Sequence, residues 1–123
     1  ENSIKNIKLP VSAPFHCDLM GNATKIMTSE LNKLYFKNGK NKLISNVTAH
    51  EISDLDELKS LLIKQIENRV RWRETVINMI ENHVNHFIEI GPGKVLSGLV
   101  KRINRDVKID TINNLSDIEK IKI

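Results

Sequence analysis

Residues 87–112 read FIEIGPGKVLSGLVKRINRDVKIDTI, and the way this stretch divides decides the fold class. FIEI at 87–90 is a short apolar run closed by Gly91-Pro92-Gly93, the pattern of a strand that ends in a turn. Val95, Leu96, Leu99, Val100 and Ile103 then recur at three- and four-residue intervals, which puts them on one face of a helix. VKIDTI at 107–112 is a second strand. Two strands joined through a helix pair in parallel, because a parallel pair needs a crossover of about a dozen residues where a hairpin needs only a few. The stretch therefore predicts α/β architecture.

Working outward, Trp72, Val76, Met79, Ile80 and His83 share a face, which predicts a helix over 70–83. Ser53 followed by Asp56 resembles a capping box that opens a further helix carrying Leu55, Leu58, Leu61, Leu62 and Gln65. KLISNVTA at 42–49 reads as a strand. Met20, Ala23, Met27, Leu31 and Leu34 form the apolar face of a helix over 17–34 and are expected in the core. Residues 4–12 contain Pro10 and suit an extended edge or junction segment. Ser116 is a candidate cap for a terminal helical turn.

The chain has 123 residues, 40% hydrophobic and 28% charged, a composition that supports one modest core and argues against disorder. No apolar run approaches the roughly 20 residues of a membrane span, and the first residues do not resemble a secretion signal, so a cytoplasmic location is expected. Cys17 is the single cysteine and cannot form an internal disulfide. A net charge of +4 permits an acidic partner. Nucleic acid is disfavoured, because aromatics are only 4% of the chain and the basic residues lie scattered among acids. No membrane partner and no cofactor is expected.

His16 stands between the proline-bearing segment LPVSAP and a helix-like pattern, where an imidazole could act as a general base but, taken alone, is more often a cap or a surface residue. Gln65 interrupts an apolar helix face close to the helix end. Its main-chain carbonyl is among the last four without an intrahelical donor and could accept an imidazole Nδ1–H. By spacing alone, a glutamine bonded within its own fraying turn is the favoured reading. Gly91-Pro92-Gly93-Lys94 has the outline of an anion site at a helix start but is more simply a tight βα turn, and Lys94 could meet a phosphate or merely be solvated. His83 and His86 lack a third ligand, so no metal site is expected. Arg69, Arg71, Arg73, Lys101, Arg102 and Arg105 read as solvated helix faces unless they converge. None of the eight serines lies in a G-x-S-x-G elbow, so His16 has no nucleophile in this sequence.

Three stretches, LPVSAPFHCDLM at 9–20, QIENRVRW at 65–72 and FIEIGPGKVLSGLVKRI at 87–103, together resemble the C-terminal part of the bacterial malonyl-CoA:acyl carrier protein transacylases of fatty acid synthesis. The resemblance implies an α/β-hydrolase-like acyltransferase domain interrupted by a small ferredoxin-like subdomain. Residues 1–12 would be the exit from the small subdomain and 13–123 the C-terminal portion of the main one. It implies His16 as the catalytic base and the Gln65 main-chain carbonyl as its orienting partner. The nucleophilic serine and the arginine that binds the malonyl carboxylate would precede Glu1 in an N-terminal part of the same polypeptide. The chain alone would then be inactive. Malonyl-CoA and acyl carrier protein are the implied partners, with transfer through a serine-bound intermediate. Phe15 falls where related acyltransferases separate malonyl from methylmalonyl groups, and resembles the malonyl-selective type, although some relatives carry serine there. Arg69 stands where many relatives have proline, a change that bears on the turn carrying Gln65. A noncatalytic basic module that binds an acidic protein or RNA, and an acyltransferase domain of a polyketide synthase, are the alternatives.

Overall fold

A computed structural model describes residues 11–121 of the chain, so all but the last two residues of the 1–12 exit segment lie outside the described residues. The described part divides into two units, one made of residues 11–40 and 53–70, the other of 41–52 and 71–121.

The first unit begins with a 3-10 turn at Asp18–Met20 that leads into α1 (Gly21–Lys33), and it also contains α2 (Leu55–Lys64). The cap of α2 is displaced by one residue from the expected Ser53–Asp56 pair. Asp54 is the N-cap and its carboxylate accepts from Glu57 N–H at 2.7 Å, while Glu57 accepts from Ser53 N–H at 2.7 Å. These backbone and hydroxyl donors hold both carboxyls below their ordinary range. The reciprocal pairing satisfies donors that the helix start leaves open.

Helix α1 corrects the core expectation. Met27 and Leu34 are 46% and 57% exposed, and none of its residues is buried. Within its unit α1 packs on α2, and one neighbouring helix covers only part of an apolar stripe.

The second unit contains α3 (Trp72–Glu81), β1 (His86–Ile90), α4 (Val95–Ile103), β2 (Lys108–Ile112) and α5 (Leu115–Ile118). β1 and β2 pair in parallel with Phe87 opposite Ile109 and Ile90 opposite Ile112. The strand–helix–strand reading of 87–112 is therefore the observed topology. Val76 of α3, Val100 of α4 and Val107 before β2 form the core, and Trp72, Ile80, Phe87, Ile103 and Ile109 pack against it. Val76 is wholly buried.

Two local expectations differ. Residues 42–49 are not a strand; a lone antiparallel bridge joins Ile44 to Glu51, and the chain turns between them. Ser45 Oγ accepts from Val47 N–H at 3.1 Å and from Thr48 N–H at 3.4 Å, taking donors that a strand ladder would have used. The helix expected over 70–83 ends at Glu81. His83 has φ 67°, its N–H donates to Ile80 O and Val84 N–H donates to Met79 O, so the chain leaves the helix through a Schellman turn with histidine in the position that favours glycine. The terminal turn α5 is capped by Asn114 with Asp117, with Ser116 lying inside it. No helix among the described residues is long and apolar enough to cross a membrane.

Candidate active site

The first unit brings together two of the residues singled out in the sequence. His16 lies in the turn before the 3-10 segment, with φ 61°, a left-handed backbone that costs an L-residue about 1–2 kcal/mol. Helix α2 ends at Lys64, and Gln65 is its C-cap, so the Gln65 carbonyl has left the helical hydrogen-bond pattern. That oxygen lies 2.7 Å from His16 Nδ1. A carbonyl oxygen can only accept, so Nδ1 carries the proton and the neutral ring presents its lone pair at Nε2. Phe15 precedes His16 in the same turn, 54% exposed, with its N–H donating to Ala13 O at 2.9 Å. His16 is exposed too, so a substrate could reach both side chains.

Two flanking residues were not singled out in the sequence for this role. The Cys17 thiol donates to Pro14 O at 3.1 Å, and Asn68 Nδ2 donates to Lys64 O at 2.7 Å. Cys17 reads from sequence as a small packed residue and Asn68 as a helix end; their nearness to His16 and Gln65 is the signal that could have drawn attention to them.

Of the remaining candidates, all in the second unit apart from Arg69, the two glycines, Arg71, Lys101 and His86 are engaged in building the fold. Glu89 accepts from Leu96 N–H at 3.1 Å and Ser97 N–H at 2.8 Å, so a carboxylate of the chain itself already occupies the start of α4. The Ser97 hydroxyl, beside the carboxylate but outside hydrogen-bonding geometry, and these N–H groups hold Glu89 below its ordinary range. Gly91 N–H donates to Ile112 O, and Gly93 N–H to Asn113 Oδ1 at 2.6 Å. With φ values of 140° and 96°, both glycines occupy backbone that L side chains rarely adopt. The Gly91-Pro92-Gly93-Lys94 segment is the tight βα turn, with the N–H donors of both glycines committed within the chain rather than open to an anion.

Lys94 borders an open hollow of about 540 Å³ with Lys101, Asp110, Asp117 and Lys120. Lys101 donates there to Arg105 O and Val107 O, and Lys120 pairs with Asp117. Arg71 is likewise committed, to Thr48 O and Glu74. His86 Nε2 lies 2.7 Å from Asp110 Oδ2, whose pKa is lowered chiefly by that hydrogen bond, while His83 sits in the Schellman turn. Among the described residues no cluster of three or more His, Cys, Asp or Glu side chains could hold a metal.

The geometry at His16 and Gln65 can be set beside known proteins. No family model matches the chain. Malonyl CoA-acyl carrier protein transacylase of Staphylococcus aureus is 41% identical over 111 residues, 90% of this chain and 36% of the relative. The protein of the same name from Bacillus subtilis is 41% identical over 120 residues, 97% of this chain and 38% of the relative. This chain is related to one part of the malonyl CoA-acyl carrier protein transacylases. Solved structures agree. The acyl-carrier-protein-S-malonyltransferase of Bartonella henselae superposes with a TM-score of 0.84 at 45% identity, over 91% of this chain and 36% of that one. The transacylase of Clostridium perfringens gives a TM-score of 0.84 at 41% identity, over 93% of this chain and 36% of that one. The chain thus spans little more than a third of the transacylases it matches, and its α/β fold is that of the matching part.

Proposed function

We propose that this chain is a portion of an acyltransferase that moves malonyl from coenzyme A to the phosphopantetheine thiol of acyl carrier protein, with His16 as general base. The observation that carries the reading is the 2.7 Å contact between His16 Nδ1 and the Gln65 carbonyl, which fixes the tautomer and leaves Nε2 to take a proton. The relatives support the chemistry through their names, and one solved relative, 33% identical, is a malonyl-transacylase in complex with a type II polyketide acyl-carrier protein.

The reaction follows from these parts. A serine hydroxyl, supplied by a part of the transacylase outside this sequence, loses its proton to His16 Nε2 as its oxygen bonds to the malonyl thioester carbon. The tetrahedral intermediate collapses, the C–S bond breaks, and the CoA sulfur leaves with the proton that His16 had taken. The phosphopantetheine thiol then gives its proton to His16 and attacks the serine ester, and His16 returns that proton to the serine oxygen. The Gln65 carbonyl also stabilises the imidazolium formed in each half-reaction, because it faces the charged ring through Nδ1–H. Phe15, beside the base and exposed, would bring a bulky ring against the acyl group and crowd an α-methyl substituent, so the proposal includes selectivity for malonyl. In this reading residues 1–12 leave the small subdomain, residues 13–123 complete the main one, and the net charge of +4 favours encounter with an acidic carrier.

The test uses the polypeptide encoded by the reading frame that contains this sequence. His16→Ala should slow malonyl transfer from radiolabelled malonyl-CoA to carrier protein by on the order of 10²–10⁴-fold. Transfer at the wild-type rate, or a polypeptide with no serine that can be acylated, overturns the proposal.

A further inference from the structure

We propose that Cys17 and Asn68 are positioning residues that hold the two ends of the His16–Gln65 hydrogen bond; the proposal rests on the reading of His16 as the base.

At the histidine end, the chain reverses through Pro14-Phe15-His16-Cys17 with His16 in the left-handed region at φ 61°. A histidine prefers to leave that region, and the imidazole would then swing away from Gln65. The Cys17 thiol reaches back across Phe15 and His16 to donate to Pro14 O at 3.1 Å, and Phe15 N–H donates to Ala13 O at 2.9 Å. The second bond lies wholly before His16; only the thiol bond, from residue 17 to residue 14, spans it.

At the carbonyl end, the oxygens closing α2 are allotted one by one. Leu61 O accepts Gln65 N–H at 3.0 Å, and Ile63 O accepts Ile66 N–H at 3.2 Å. Lys64 O accepts three donors, the main-chain N–H of Glu67 at 3.3 Å, that of Asn68 at 3.0 Å and, shortest, the Asn68 side-chain amide at 2.7 Å. Gln65 O follows, and takes His16 Nδ1–H. Asn68 therefore supplies two of the three donors to the carbonyl next to the one the site uses, including the shortest, and ties down the peptide plane between Lys64 and Gln65. Neither Cys17 nor Asn68 touches a reacting atom, so each acts through the orientation of another group.

The experiment reads the tautomer. In the ¹⁵N-labelled polypeptide encoded by the reading frame that contains this sequence, at alkaline pH, long-range proton–nitrogen correlations distinguish Nδ1–H from Nε2–H rings. His16 is picked out among the histidines by comparison with His16→Gln. The wild type and Cys17→Ser, which keeps a donor, should hold the proton on Nδ1. Cys17→Ala, and Asn68→Asp, which keeps the shape but lacks an N–H, should each lower the ratio of Nδ1–H to Nε2–H by about fivefold, the weight of one net hydrogen bond. Asn68→Ala is a second variant at that position should Asn68→Asp unfold, and melting temperatures are recorded for all. A merely structural role lowers the melting temperature and leaves the ratio alone; a ratio unchanged in Cys17→Ala and in the Asn68 variants overturns the proposal. A wild-type ring found as Nε2–H overturns the reading of His16 itself, a separate failure.

Discussion

Glycine and alanine at position 16 should invert their usual order of stability. Either substitution removes the imidazole and its 2.7 Å bond to Gln65 O, so the two variants lose the same contact and differ only in backbone preference. With φ 61°, alanine retains the left-handed cost of about 1–2 kcal/mol and glycine does not. Glycine gives back about 0.5–1 kcal/mol through its greater freedom in the unfolded chain. The net expectation is that His16→Gly is more stable than His16→Ala by about 0.5–1 kcal/mol. For a domain of this size that is roughly 2–5 °C in melting temperature, read by far-UV circular dichroism. Lys25, exposed within α1, is the control: there alanine should exceed glycine by about 1 kcal/mol, as in any helix interior. If alanine is the more stable residue at both positions, the backbone at His16 is not left-handed, and the account of how its ring is aimed fails with it.

Val76→Ala should destabilise the second unit by about 1.5–3 kcal/mol, because the side chain is fully buried against Trp72, Val100 and Val107; urea unfolding followed by the fluorescence of Trp72, the single tryptophan, measures it, and a loss below about 0.5 kcal/mol would show an adaptable core. Glu89 has a lowered pKa in the folded chain, caused first by the Ser97 hydroxyl and then by the capping N–H groups, so its contribution is present above the ordinary glutamate range and is lost as pH falls through the folded value. Glu89→Gln should therefore flatten the decline of the urea midpoint between about pH 5 and pH 3, and an unchanged slope removes Glu89 from the acid transition. In the polypeptide encoded by the reading frame that contains this sequence, the proposed function predicts that Phe15→Ser raises the kcat/KM for methylmalonyl-CoA relative to malonyl-CoA; an unaltered ratio would show that the ring does not select the acyl group.

How far the fold was legible depended on how many local rules agreed. At 87–112 the apolar alternation, the glycine–proline stop and the helical spacing all point to one division, and β1, α4 and β2 lie where that division puts them. At 42–49 the alternation of KLISNVTA stood alone. It could not weigh the Ser45 hydroxyl, which draws in the N–H groups of Val47 and Thr48 and bends the chain. Residues 53–57 spell SDLDE, which admits two capping pairs three residues apart; Asp54–Glu57 forms because Glu57 can also take the Ser53 N–H and hydroxyl. Glu89 was missed although it shares the strand face of Phe87, which packs on the core. A carboxylate on that side of a strand needs donors, and the start of the next helix supplies them.

The Gln65 carbonyl was legible as an orphan because helix ends leave such groups by geometry. The left-handed backbone of His16 was not, because histidine, though enriched in that region, occupies it in only a small fraction of cases. Among the described residues, three other than glycine have positive φ, and their surroundings differ. Ala49 is buried, and its turn is tied by Asn78 Nδ2 to Ala49 O and by Ala49 N–H to Ser45 O. His83 closes α3, and the two bonds of the Schellman turn offset its cost. In both places the conformation serves the chain's own path. At His16 it turns a side chain outward onto a carbonyl 49 residues away. Backbone strain that aims an exposed titratable ring at a fixed acceptor is strain that packing alone does not require, and this separates His16 from the other two.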